Sequence, residues 1–124
     1  MLVLSACLVY GYGNQAEGSI GNLHTIGINY ISPGKSYASA TTSTNIVGNP
    51  NPTTANTYVD ATFYWVDYVN DQMDTVYKED SNQSASTVIP ASVTNRIYYK
   101  VISNHYVWYG QGSWSFTDLT TLAQ

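Results

Sequence analysis

Charge is scarce in this chain. Its 124 residues include four Lys+Arg and eight Asp+Glu, for a net charge of −4. The charged fraction is 10%, against roughly 25% in an average soluble domain. Four bases cannot build the cationic footprint that nucleic-acid binding needs, so that class is excluded. Cysteine is nearly absent: the single Cys7 allows no intrachain disulfide and excludes a disulfide-stapled scaffold. The residues of coiled coils and long helices (Ala, Glu, Lys, Leu and Arg) are sparse. The apolar run Met1 to Tyr10, at about ten residues, is too short to span a bilayer. Nucleophile elbow, P-loop, dinucleotide fingerprint, zinc spacing and EF-hand loop are all missing.

Neutral polarity and tyrosine stand in their place. Ser, Thr and Asn supply 38 residues, and there are 12 Tyr and 3 Trp against only 2 Phe. A hydrophobic fraction of 44% excludes disorder driven by charge. Hydroxyls, amides and phenols must carry solubility, a surface common on exported proteins, which places the chain outside the cell or at its surface. Asn82-Gln83-Ser84 fits the N-glycosylation pattern, making Asn82 the candidate acceptor.

The periodicity is that of strands. Leu23 to Ile31 alternates between His24, Ile26, Ile28, Tyr30 and Thr25, Gly27, Asn29, a half-buried strand. Ser32-Pro33-Gly34-Lys35 is a turn. Ser36 to Thr57 is low in complexity and reads mainly as a long surface loop, with its hydroxyl-rich part also compatible with an exposed strand. Thr57 to Val69 is the strongest strand, with Val59, Ala61, Phe63 and Trp65 facing the core and Tyr58, Tyr64 and Tyr68 on the other side. A hairpin leads on into Thr75 to Lys78, followed by a polar stretch, Glu79 to Ser86. Thr87 to Ile89 is a short strand ended by Pro90. Val93 to Ile102 alternates again, with Val93, Ile97, Tyr99 and Val101 inward and Thr94, Arg96, Tyr98 and Lys100 outward. Ser103-Asn104 marks a turn or bulge. The chain ends in an aromatic-dense run and a Gly-flanked turn into Ser113 to Leu119.

Such a pattern predicts an all-β protein: an immunoglobulin-like or jelly-roll-like sandwich of about seven to eight strands. Ile97 to Ile102 and its neighbours look like the later strands of an immunoglobulin-like sandwich, without its Cys–Trp–Cys framework. Three regions follow: an apolar N-terminal strand (1–12), a Gly-rich connector (13–22) and a sandwich domain (23–124). The N-terminal run has three readings. It is the remnant of a secretory signal, or a truncated lipobox in which Leu4-Ser5-Ala6-Cys7 presents Cys7 for lipidation, or a strand. The strand reading has a positive signature. Leu2, Leu4, Leu8, Tyr10 and Tyr12 form a bulky face, and the opposite face is mostly small.

No catalytic constellation is visible. His24 and His105 fall on predicted strands and read as strand residues, and Cys7 lacks any activating neighbour. Five of the eight acids crowd into one window, Asp67, Asp71, Asp74, Glu79 and Asp80. A solvated acidic turn is the first reading, and a weak calcium candidate on Asp67, Asp71 and Asp74 the second. Tyr58, Tyr64 and Tyr68 form one aromatic stripe and Tyr98, Tyr106 and Trp108 a second, with Tyr58, Tyr64, Tyr68 and Trp108 as the candidate contact surface and about half of these rings read as core fillers.

The run Met1 to Tyr12, the charge-poor Ser/Thr/Asn/Tyr composition and the all-β pattern resemble, in style, exported β-sandwich filament subunits of archaea and bacteria that use donor-strand exchange. The resemblance implies a structural, non-enzymatic subunit of an extracellular filament or pilus-like assembly. Its partners would be copies of itself, with glycans as further partners. The strand 1–12 would complete the sheet of a neighbour. Two alternatives stand beside it: a carbohydrate-binding or adhesive module, and a virion capsid or tail protein.

Overall fold

The computed structural model describes residues 11–124. Eight strands follow in order: β1 (Tyr12–Ile20), β2 (Leu23–Ile31), β3 (Ala38–Ile46), β4 (Asn56–Asp67), β5 (Gln72–Gln83), β6 (Ala85–Val88), β7 (Arg96–Tyr109) and β8 (Gly112–Leu122). They form two four-stranded sheets, ordered β1-β2-β3-β6 and β5-β4-β7-β8, with every neighbouring pair antiparallel. The protein is therefore an all-β sandwich. Among the described residues there is no helix, and so none long and apolar enough to cross a membrane.

The crossings between sheets give the topology. The chain passes from β3 to β4 and again from β6 to β7, while β3 pairs with β6 and β4 with β7. In the immunoglobulin sandwich strands B, C, E and F interlock in this way. A second feature fits the same plan. Tyr98, near the start of β7, is buried, and its hydroxyl donates to the carbonyl of Ala91 at 2.9 Å, back in the β6–β7 connection. That is the geometry of a tyrosine corner.

Several segments differ from the sequence reading, each for a physical reason. The Gly-rich connector is strand β1, paired along its whole length with β2. Its residues are mostly exposed, so no apolar alternation marked it. The low-complexity loop contains β3, whose inward residues Ala38, Ala40 and Thr42 are small enough for the facing sheet to approach. The polar stretch from Glu79 belongs to β5, an edge strand exposed along nearly its whole length. In β7, Tyr98 points inward and not outward, because the pairing with β4 slips between Tyr64 and Trp65. One extra residue in a strand reverses its facing. The anticipated irregularity at Ser103-Asn104 is present as a second slip, in the pairing with β8. There Asp118 adopts φ 59° and its amide donates to Asn104 Oδ1 at 3.0 Å.

The core has two apolar halves. Ile31, Ala38, Ala40, Val59, Ala61, Phe63, Val88, Tyr98 and Val101 form the larger. Leu23, Ala55 and Val107 form the smaller, with Trp114 and Tyr109 against it. Val59, Ala61 and Phe63 face inward as their alternation in the sequence predicts. Between the halves lies a belt of buried polar groups: Asn29, Thr42, Ser103 and His105.

Candidate functional site

The buried belt holds a Ser–His pair. His105 Nε2 lies 2.7 Å from Ser103 Oγ, and His105 Nδ1 lies 2.7 Å from Thr42 Oγ1. Asn29 spends its amide hydrogens on the carbonyls of Leu119 (2.7 Å) and Val101 (3.4 Å). Its Oδ1 must therefore accept, and Ser103 Oγ–H donates to it. Ser103 in turn accepts the Nε2–H of His105, which makes Nδ1 the acceptor nitrogen of a neutral ring. The Thr42 hydroxyl also lies 2.9 Å from the carbonyl oxygen of Tyr58, and its one proton serves either acceptor. Desolvation lowers the His105 pKa to about 4. Asn29, Thr42, Ser103 and His105 have essentially no exposure, and no substrate can reach them. The belt is a clasp between sheets, consistent with reading His105 as a strand residue. His24, by contrast, is half-buried, with Nε2 2.9 Å from Glu17 Oε1.

The outer face of the second sheet is different in kind. Register puts Trp108, Asn56 and Gln83 in one cross-strand row, and Tyr106, Tyr58 and Ser81 in the next. Asn104, Asp60 and Glu79 form a third. Tyr58 and Tyr106 are tilted at 5.6 Å between ring centroids, and Tyr106 and Trp108 are near parallel at 6.0 Å. Farther along the face Tyr64 meets Tyr99 at 6.1 Å, and Lys100 Nζ lies 4.9 Å from the Tyr64 ring centre. Tyr58 donates its hydroxyl to Glu79 Oε1 at 2.8 Å, and Asn104 donates to Asp60 Oδ1 at 2.8 Å. Desolvation, helped by Tyr77, Glu79 and Asp60, pushes the Tyr58 phenol far above its ordinary pKa, so it remains a donor. Trp108 ends the row with 47% of its surface exposed. A shallow groove beside it is lined by Asn56, Thr57, Ser81, Asn82, Gln83 and Trp108.

Of the residues singled out in the sequence, Tyr58, Tyr64 and Trp108 thus share one face, and Tyr106 joins them. Tyr98 leaves that group for the core, and Tyr68 lies in the exposed β4–β5 turn. Asn56, Ser81 and Gln83 carried no signal of their own: only strand register brings them to Trp108. Asn82 is exposed on edge strand β5, where its Nδ2 donates to Asp80 Oδ2 at 2.9 Å. Tyr12 opens β1, and its hydroxyl donates to the Gln124 carbonyl at 3.1 Å. Leu2, Leu4, Cys7, Leu8 and Tyr10 lie outside the described residues.

The calcium candidate has no supporting geometry. Asp67 turns back on its own hairpin, accepting from the amides of Val69 and Asn70 (3.0 Å each) and from Asn70 Nδ2 (2.9 Å). The hydrogen bonds from Asn70 are the main reason its carboxyl is held below the usual range. Asp74 accepts from the Thr75 amide at 2.8 Å. Among the described residues, no three His, Cys, Asp or Glu side chains are grouped to hold a metal ion.

Comparison with protein-family models, curated proteins and solved structures finds no match to this chain.

Proposed function

We propose that this protein is a non-enzymatic structural subunit of an extracellular filament or pilus-like assembly, joined to copies of itself by strand addition at β8. The supporting observation is an asymmetry among the four sheet edges. Unpaired edges invite another strand, and proteins blunt them with charge, shortness or proline. Edge β5 carries Asp74, Lys78, Glu79 and Asp80, and edge β6 has four residues with Pro90 close behind. Edge β1 carries Glu17. Edge β8 also carries one charge, but it is longer, 11 residues against the nine of β1, and its Asp118 sits at the bulge, so Gly112 to Thr117 is uncharged.

The uncharged run Met1 to Tyr10 joins the described chain beside this edge. Gly11, Tyr12, Gly13 and Asn14 share a groove with Thr120, Thr121 and Leu122, and Asn14 Nδ2 donates to the Thr120 carbonyl at 3.1 Å. These contacts engage the C-terminal end of β8, and at its other end Gly18 and Ile20 of β1 pack against Trp114 and Gly112; in this proposal Ser115 to Thr117 is the accepting stretch. The proposed segment adds to β8 of a neighbouring copy. Exchange of an identical element is a low-cost route to association, and a head-to-tail contact that does not close on itself generates a filament. In this proposal the added strand extends the sheet at its edge.

The test is sedimentation and electron microscopy of the full chain beside a form lacking residues 1–10. The full chain is expected to form concentration-dependent polymers, and the truncated form a folded monomer. Polymers of undiminished length from the truncated form, or a full chain that stays monomeric at high concentration, would overturn the proposal.

A further inference from the structure

We infer that the groove beside Trp108 is a binding site for a neutral glycan. The site goes beyond the assembly role: the groove opens between β4, β5 and β7, and Trp108, whose register partner on β8 is Ser113, stands between it and the β8 edge. Its floor is the outer face of the second sheet. Trp108, Asn56 and Gln83 stand side by side in one row, with Ser81 and Tyr58 in the next. Adjacent strands are about 4.8 Å apart, so the row spans about two sugar rings.

The chemistry of the lining selects the ligand. An indole offers a flat apolar surface to the C–H face of a pyranose, and amide and hydroxyl groups exchange hydrogen bonds with its hydroxyls. Among the described residues, the side chains of Asn56, Ser81 and Gln83 make no hydrogen bond, so their donors and acceptors are available. Trp108 is the most exposed ring in the row of Tyr58, Tyr106 and Trp108. Tyr106, parallel behind it at 6.0 Å, restrains the indole.

Charge argues against other ligands. No Lys or Arg lines this groove or the adjoining one formed by Tyr58, Glu79, Asp80 and Ser81. The carboxylates of Glu79 and Asp80 would repel phosphate, sulfate, sialic acid and uronic acids. A purely apolar peptide would strand the amides without partners. A polyol without charge satisfies both conditions.

The experiment titrates the full chain with neutral hexaoses (cello-, xylo-, malto- and chito-oligosaccharides) and with soluble neutral glucans and mannans. Tryptophan fluorescence and calorimetry provide the readouts. At least one neutral glycan is expected to bind saturably. Trp108→Ala should weaken it tenfold or more and Gln83→Ala several-fold, while Trp108→Phe keeps most of the affinity. Val47→Ser, exposed in the β3–β4 connection, should leave glycan binding unchanged. Circular dichroism of each variant separates loss of site from loss of fold. No saturable binding by any neutral glycan would overturn the inference. So would equal binding by a folded Trp108→Ala variant, or preference for an acidic glycan or a peptide. Polymer formation is read separately, so either idea can fail alone.

Discussion

Gly27 and His105 are a matched pair across the two sheets. A methyl group on Gly27 would lie 2.5 Å from Cγ of the buried imidazole, closer than packed carbon atoms come. The ring cannot retreat, because Thr42 and Ser103 hold both its nitrogens. Gly27→Ala should therefore cost about 1–3 kcal/mol, the range for overpacking a filled core, read as a lowered denaturant midpoint. His105 also makes stability depend on pH. Burial holds its folded pKa at about 4, against an ordinary 6.5. Between those values the unfolded chain carries the extra proton, so stability falls as pH drops from about 6.5 towards 4. The full shift corresponds to a loss of about 3 kcal/mol. His105→Gln should remove this slope within that window in chemical denaturation followed against pH. The hydrogen-bonded carboxyl of Asp67, held below the usual carboxylate range, titrates beneath the window.

Among the elements, β7 carries most of the architecture. It pairs with β4 on one side and β8 on the other, and its irregularities aim its side chains. The slip opposite Tyr64 and Trp65 turns Tyr98 into the core, and its hydroxyl then ties β7 to the Ala91 carbonyl. Tyr98→Phe keeps the ring and removes that bond, so it should destabilise by about 1 kcal/mol, visible as a drop of several degrees in Tm. Strand-by-strand legibility followed burial. The alternation of Val59, Ala61 and Phe63 was readable because β4 is central and its inner face is apolar. β5 was only partly readable because it is an edge strand exposed along almost its whole length. In β2 the buried positions include Thr25, Gly27 and Asn29, while Ile26 and Ile28 are only half-buried, so hydrophobicity pointed away from the core. The partners that make this arrangement stable, Thr42, Ser103 and His105, are remote in sequence.

At the scale of the molecule, low charge predicts how the proposed assembly would respond to salt. Coulombic contacts between subunits would weaken as the screening length falls from about 10 Å at 0.1 M salt to about 3 Å at 1 M. The proposed main-chain pairing at β8 by an uncharged strand has no such term. Polymer mass measured by sedimentation should accordingly be almost unchanged over that range. Disassembly by high salt would place charged surfaces, and not β8, at the contact.

Composition and alternation alone determined the class of the protein: all-β, charge-poor, with tyrosine in place of phenylalanine and an apolar run at its start. These are local properties, because a strand with one apolar face declares itself within a few residues. The site belongs to the tertiary structure. Asn56, Gln83 and Trp108 come from three strands and meet only because β4 pairs with both β5 and β7 in one register. The polar clasp likewise joins Asn29 and Thr42 of one sheet to Ser103 and His105 of the other. Shifting a strand by one residue turns every side chain to the opposite face. Register, which depends on bulges and on packing between sheets, was therefore what decided the aromatic row and the buried histidine.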